Sequence, residues 1–259
     1  MPLLSIVDLT VTFEGLRALE KVSFSVEEGQ IFSVVGPNGA GKTTVFNCIN
    51  RICRQDSGDI VFDGHELSHR KRHEVPRLGI ARTFQNIELF GGMTVLENIL
   101  SGCHNRIDTS LLGTLLFTPK VRSMETAARR AAEEVIEFLE LEAVRRMPVV
   151  ALPYGIRKRV ELGRALALEP KLLLLDEPAA GLNTEETEEL AFWVQEIRSD
   201  HGITLFFVEH DLQFVMDLSD RVCVLDHGRV IAEGRPEEIG GDSRVVDAYL
   251  GKNNHATRD

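Results

Sequence analysis

The chain has 259 residues, 43% of them hydrophobic, with 29 Lys and Arg set against 40 Asp and Glu for a formal net charge of −11. That length supplies one sizeable core, or a core with a smaller attached body, and the acidic balance disfavours a nucleic-acid partner over most of the surface. No run approaches the roughly 18 apolar residues that cross a bilayer, and the first twenty residues lack a basic stretch followed by an apolar one, so a cytoplasmic chain is expected.

Residues 3–13 and 22–35 read as strands. Val11 and Phe13 alternate with Thr10 and Thr12, and Val22, Phe24 and Val26 alternate before the turn Glu27-Glu28-Gly29. Asp59–Gly64 is a further short strand closed by a turn, and together these predict an antiparallel sheet. Phe13, an aromatic ring at the end of an early strand, has two readings: a core residue, or a ring that stacks on a nucleobase.

Between the second of these strands and a helix signal lies Gly36-Pro-Asn-Gly-Ala-Gly-Lys-Thr-Thr44. A strand that stops in a glycine-rich turn and re-emerges as a helix aims backbone N–H groups and the positive end of the helix dipole at one small volume, which suits a phosphate chain. Gly36 and Gly41 can adopt backbone angles that a Cβ forbids. Lys42 would reach the β- and γ-phosphates, and the Thr43 hydroxyl would ligate Mg²⁺.

Four cysteines (Cys48, Cys53, Cys103, Cys223) show neither C-x-x-C spacing nor a histidine cluster, which points to buried reduced thiols rather than zinc. His69, Arg70, Lys71, Arg72 and His73 predict a solvated helical face within Ser68–Arg77. From Thr94 the spacing of Val95, Leu96, Ile99 and Leu100 is helical. The irregular stretch that follows, with Leu111, Leu112, Leu115, Leu116 and Phe117, either packs within a helical body or meets a partner. An amphipathic helix comes next, with Ala128, Ala131, Ala132, Val135 and Leu139 on one face and Arg129, Arg130, Glu133, Glu134 and Glu137 on the other.

Pro148 and Pro153 bracket a connection into a helix over Ile156–Leu168. Leu172–Leu175 is a continuous apolar run of the kind found in a parallel strand covered on both faces. Glu185–Ser199 is a helix with Asn183 as its cap, Ile203–Val208 a second buried strand, and Val222–Leu225 with Val230–Ala232 a hairpin turning at Asp226-His-Gly228. The last nine residues are expected to lack fixed structure.

Asp176 and Glu177 directly follow the leucine run, at the strand edge where open α/β sheets bind ligands. Two carboxylates there can divide labour, one holding a metal and one orienting and deprotonating a water. His210 ends the next buried strand and becomes a candidate to hold that water in line. Gln85, in Arg82-Thr-Phe-Gln85, is a weaker signal.

In this order the elements resemble the ATP-binding subunits of ABC transporters over nearly the whole chain. Leu152-Pro-Tyr-Gly155-Ile-Arg matches the signature loop, usually Leu-Ser-Gly-Gly-Gln. Asp176-Glu177 matches the Walker B end, Ala180-Gly-Leu-Asn183 the D-loop, Gln85 the Q-loop and His210 the switch histidine, while Phe13 takes the place of the adenine-stacking aromatic. More narrowly, Arg82-Thr-Phe-Gln-Asn-Ile-Glu-Leu-Phe90, Pro178-Ala-Ala-Gly-Leu-Asn183 and Glu209-His-Asp-Leu look like the branched-chain amino-acid importer group, as does the long stretch from Ser101 to Lys120.

The resemblance implies an α/β fold: a P-loop (RecA-like) core with a mostly parallel sheet, an N-terminal antiparallel β subdomain and an inserted α-helical subdomain. One ABC ATPase domain would divide into core residues 1–92 and 160–235, helical residues 93–159 and a C-terminal extension 236–259. It implies ATP and Mg²⁺, with Gly36, Asn38, Gly39, Ala40, Gly41, Lys42, Thr43, Thr44 and Phe13 of one subunit, and Pro153 and Gly155 of another, around the nucleotide. Thr43, Gln85 and Asp176 would hold the metal, and Glu177, His210 and Gln85 would serve catalysis. The partners implied are a second ATPase subunit, identical or related, transmembrane permease subunits and, indirectly, a substrate-binding protein, on the cytoplasmic face of the inner membrane.

The signature departs from the usual pattern, with Pro153 for serine and Ile156 for glutamine. Proline cannot donate to a phosphate, and one lost hydrogen bond to a charged group costs about 1.5–3 kcal/mol, roughly ten- to a hundredfold in closed-dimer stability. Gly155 and the following first turn still offer N–H groups, so a retained but altered signature is expected. Rival readings are a soluble ABC ATPase of DNA repair or chromosome structure, a non-hydrolysing ATP-binding module, and a transporter ATPase for urea, another amide or lipopolysaccharide. The roughly 110 residues between phosphate loop and signature, without sustained heptads, and the presence of Glu177 and His210 count against the first two.

Overall fold

The computed structural model of the protein describes residues 1–83, 85, 87–103 and 119–250. The leucine-rich stretch 111–117 and the final nine residues lie outside the described residues.

Two sheets carry the architecture. The first is antiparallel, ordered β2-β1-β4-β5, from β1 (Leu4–Phe13), β2 (Leu16–Val26), β4 (Ser57–Phe62) and β5 (His65–Glu66). Its second strand begins six residues earlier than alternation predicts. The register of β1 against β2 shifts between Ile6 and Leu9 and again before Val11 and Thr12. Asp8 and Lys21 take positive φ beside those shifts, so the period-two pattern is interrupted while the ladder continues.

The second sheet is ordered β10-β9-β3-β8-β7-β6, from β3 (Ile31–Val35), β6 (Ile80–Arg82), β7 (Leu172–Asp176), β8 (Thr204–Glu209), β9 (Arg221–Asp226) and β10 (Arg229–Gly234). Every pairing is parallel except β9 with β10. All residues of β3, β7 and β8 are buried, which is why those segments are nearly continuous apolar runs. Three-residue β6, which the sequence pattern does not reveal, closes one edge.

Helix α1 (Lys42–Ile49) leaves the end of β3 and packs on the sheet through Phe46, whose ring meets Phe206 edge-on at 4.9 Å. Phe24, Phe32 and Phe206 complete this aromatic cluster, with centroids 5.1–5.7 Å apart. Truncating such a buried ring costs about 3–5 kcal/mol, so the cluster fixes the direction in which α1 leaves the sheet.

The opposite face is covered by α2 (Val95–Gly102), α3 (Pro119–Phe138), α4 (Tyr154–Leu166) and α5 (Thr184–His201). Ile99, Ala132, Ile136, Leu139, Val160 and Leu162 form one core with Leu173, Leu175 and Leu205 of the sheet. Asn183 caps α5 as expected, accepting from the Glu186 amide, and Glu186 accepts in return from the Asn183 amide, which completes a capping box.

Where a helical basic face is expected near residue 70, the chain makes two 3₁₀ turns, Arg72–Glu74 and Pro76–Leu78. Pro76 lacks the amide an α-helix needs there. The basic side chains from His69 to His73 are exposed. Helices α6 (Leu212–Leu218), α7 (Pro236–Gly240) and α8 (Ser243–Leu250) pack around Val35, Val222 and Val224 on the other flank. The thiols of Cys48, Cys103 and Cys223 are buried, as expected; Cys53 is half-buried, its Sγ 3.2 Å from that of Cys48.

Candidate functional site

At the end of β3 the chain turns at Gly36 (φ 155°), where a Cβ would come within 2.1 Å of the Leu225 carbonyl oxygen. At Gly41 (φ 102°), directly before α1, a Cβ would meet the Ala18 carbonyl oxygen at 2.6 Å. Both positions exclude any residue but glycine, for contact as well as conformation. Lys42 is 5% exposed and folds back over the loop, donating from Nζ to the Gly36 carbonyl at 2.7 Å and the Pro37 carbonyl at 3.2 Å.

Helix α1 has no capping side chain and no acidic residue in its first turn, so its positive end is not neutralised within the helix. A cleft of about 600 Å³ opens over this end, lined by Asn38 to Thr44 on one side and by Leu16, Arg17 and Ala18 of β2 on the other, with Glu177 at its edge. A concave wall of backbone amides, a cation and a helix N-terminus is a cradle for an oligophosphate. Phe13 sits opposite Leu16 across the hairpin, 48% exposed, and is not among the cleft-lining residues.

The parallel register brings the carboxylates to the same edge. Asp176 ends β7 opposite Val208, and Glu209 ends β8 opposite Val35, the last residue before the loop. Asp176 Oδ2 accepts from Arg82 Nη2 at 2.5 Å, while Oδ1 is buried without a hydrogen-bond partner among the described residues. A buried carboxylate oxygen with nothing to accept from fits a cation, directly or through water.

Glu177 takes φ 46°, a left-handed angle unusual for glutamate, and its amide donates to the Val208 carbonyl at 2.8 Å. Gln85 Nε2 donates to Glu177 Oε2 at 2.8 Å, and His210 Nδ1 lies 3.7 Å from the same oxygen. Three residues from separate segments therefore meet beside the cleft. A half-sealed carboxylate, held by an amide donor with an imidazole nearby, can orient a water and accept its proton.

Pro153 and Gly155 are not brought to this cleft; they occupy the start of α4. The helix begins at Tyr154, two residues earlier than its apolar pattern predicts, with Pro153 as its N-cap at φ −54° and ψ 157°. Proline's fixed φ suits this entry, so the residue in the serine position becomes the cap. A Cβ on Gly155 would lie 2.4 Å from Glu186 Oε1, which ties the turn to α5.

Four more residues join these segments through contacts that the sequence pattern does not foresee. Tyr154 donates its hydroxyl to the Ala180 carbonyl at 3.3 Å and would touch a Cβ on Gly181, joining the start of α4 to the loop after β7. Lys158 donates to the Gln85 carbonyl at 3.4 Å; burial pushes its ammonium pKa down while Glu161 and Glu209 pull it back up. Glu209, fully buried, accepts from the Ala179 amide at 2.9 Å and the His210 amide at 3.1 Å, and burial raises its pKa. Arg82 is the fourth. Its one legible signal is a charged residue at the end of a buried strand.

The model of a family described as "ABC transporter" matches residues 19–180, and that of "Branched-chain amino acid ATP-binding cassette transporter" matches residues 229–254. The high-affinity branched-chain amino acid transport ATP-binding protein BraF of Pseudomonas aeruginosa is 41% identical over 251 residues, 97% of this chain and 98% of that protein. LivG of Escherichia coli K12, of the same description, is 39% identical over the same shares. A nucleotide-free ATP-binding cassette from an ABC transporter superposes with a TM-score of 0.83 at 33% identity, covering 96% of this chain and 99% of that one. A structure of an ATP-binding cassette of an ABC transporter in its ADP conformation gives 0.83 at 32%, over 97% and 99%. The likeness runs end to end and spans the phosphate cradle and the carboxylate edge alike: the chain belongs to the ABC transporter family, as one of its ATP-hydrolysing subunits.

Proposed function

We propose that the protein is the ATPase subunit of an importer for branched-chain amino acids, bound to the cytoplasmic face of the membrane through permease subunits. The reading rests above all on the meeting of Gln85, Glu177 and His210 beside the phosphate cradle. The cargo follows from the full-length similarity to BraF and LivG.

In this reading Lys42 and the loop from Gly36 to Thr44 bind the phosphates, with Asn38, Gly39 and Ala40 supplying backbone, and Phe13 stacks on the adenine from the hairpin tip. The Thr43 hydroxyl, Asp176 and the Gln85 amide oxygen would hold Mg²⁺, for which the orphan Oδ1 of Asp176 is suited. Held there, Mg²⁺ would neutralise charge on the phosphates. Glu177 takes the proton of the attacking water, and Gln85 fixes the carboxylate. His210, at 3.7 Å, stands just outside hydrogen-bond reach and closes on the site when it is filled.

Pro153 and Gly155 then belong to the site of a second ATPase subunit, whose own α4 start completes this one. Nucleotide binding favours the closed pair by its differential affinity for that state. Helical residues 93–159 would move against core residues 1–92 and 160–235, with residues 236–259 as an extension. A groove of about 310 Å³ between these parts, lined by apolar Ile52 and Phe90 and by basic Arg72 and Arg164, offers a permease segment a seat of mixed apolar and basic character. Ile52 is 41% and Phe90 52% exposed there. A substrate-binding protein would deliver the cargo to the far side of the permease.

Phosphate release by the purified chain, alone and with co-purified membrane partners, tests the reading. Magnesium-dependent hydrolysis that rises with the partners supports it. A chain that binds ATP yet releases no phosphate under either condition overturns it.

A further inference from the structure

Asp176 is gripped from one side only. Its Oδ2 accepts from Arg82 at 2.5 Å, and the two side chains are 3% and 7% exposed. Its Oδ1 is equally buried and has no hydrogen-bond partner among the described residues. Arg82 reaches two further groups on α1: Nη1 donates to Asn47 Oδ1 at 2.9 Å, and the guanidinium lies 5.6 Å over the Phe46 ring. One cation thus connects β6, β7 and α1. Phe46 and Asn47 follow Thr43 by one helical turn, and the next amide after Arg82, that of Thr83, donates to the Leu174 carbonyl at 2.9 Å. Arg82 is therefore tied to α1 by its side chain and to β7 by the backbone of the next residue.

The chemistry of this arrangement is specific. A guanidinium held on one oxygen fixes the plane of the carboxylate, so the second oxygen points in one direction. The planar fork lets Arg82 hold Asp176 and Asn47 at once, which a single ammonium cannot do with the same geometry. Ligating carboxylates elsewhere depend on such supporting hydrogen bonds, whose removal lowers metal affinity about ten- to a hundredfold.

We propose that Arg82 is a positioning residue for the metal-bearing form of the nucleotide: it holds Asp176 with Oδ1 turned out as the metal-side acceptor and locks that orientation to α1 through Asn47. This rests on the reading of the cleft as an ATP site. It differs from that reading in assigning a role to a residue that touches neither nucleotide nor metal.

The test measures binding of a fluorescent ATP analogue to the full chain carrying Glu177→Gln, in EDTA and across a Mn²⁺ titration. Adding Arg82→Met is expected to leave the EDTA affinity within about twofold and to raise the Mn²⁺ midpoint about ten- to a hundredfold. Arg82→Lys falls between, and Asn47→Ala moves the midpoint less but in the same direction. A midpoint that stands still or falls in Arg82→Met overturns the proposal, as does an equal loss of affinity in EDTA and Mn²⁺, the mark of a merely structural role. If circular dichroism shows Arg82→Met unfolded, Arg82→Lys and Asn47→Ala decide by the same criteria. A Glu177→Gln parent that binds no analogue overturns the ATP-site reading itself, and the positioning role with it.

Discussion

Two helix N-termini in this chain have opposite settings. The start of α1 is enclosed: a glycine turn precedes it, Lys42 lies over it, and β2 and Glu177 face it across a cleft. The start of α4 is open, with Pro153 exposed as the cap, and what secures it comes from behind, through Tyr154 and Glu186. The first has its cradle and the facing wall of a cleft assembled within one chain. The second offers a similar positive helix end that lies outside the cleft at α1, as expected of the part that completes a neighbour's site.

Glu177→Gln should break the comparison most sharply on the enclosed side. Turnover is expected to fall about 10²- to 10⁴-fold while ATP binding persists, as read by phosphate release and by equilibrium binding. An unchanged rate would remove Glu177 from the chemistry. On the open side, Pro153→Ser restores a hydroxyl that can donate across the subunit boundary. It should stabilise the closed pair by roughly ten- to a hundredfold, visible as a lower protein concentration for half-maximal ATPase; an unmoved midpoint would mean the missing hydroxyl does not limit closure.

A smaller effect sharpens how the two sides communicate. Tyr154→Phe removes the bond to the Ala180 carbonyl and should lower stability by about 0.5–1.5 kcal/mol, with turnover falling more than thermal stability if α4 and the post-β7 loop move together. Glu209 gives a pH signature of the enclosed side. Burial raises its pKa above the ordinary value of 4.5, so the folded state binds the proton more tightly than the unfolded chain does. Its contribution is fully favourable below the unfolded pKa and is lost as pH rises through the folded one. The melting temperature of Glu209→Gln relative to the parent should therefore climb as pH increases from below 4.5, and a difference flat with pH would contradict it.

Much of the enclosed side is legible in the sequence because local chemistry dictates it. The apolar runs of β3, β7 and β8 announce buried parallel strands, and Gly36 and Gly41 stand where a Cβ would strike backbone. Asn183 with Glu186 announces a capped helix. What sequence reasoning misses depends on packing between distant segments. Arg82 gains its meaning only when the register puts β6 beside β7, and Tyr154 only when α4 lies against the loop after β7. The bulges of β1 hide the first residues of β2, and Pro76 turns an expected helical face into 3₁₀ turns. The start of α4 is obscured because proline reads as a breaker in a sequence but serves as a cap in the fold.

The central claim, that one chain holds half of each ATP site, is tested most directly by sedimentation velocity of Glu177→Gln, alone and co-expressed with its companion ATPase subunit. Magnesium and ATP are expected to convert the protein to a dimer in at least one of these preparations, and Lys42→Ala to abolish the conversion. ATP bound stoichiometrically with the mass unchanged in both would contradict it.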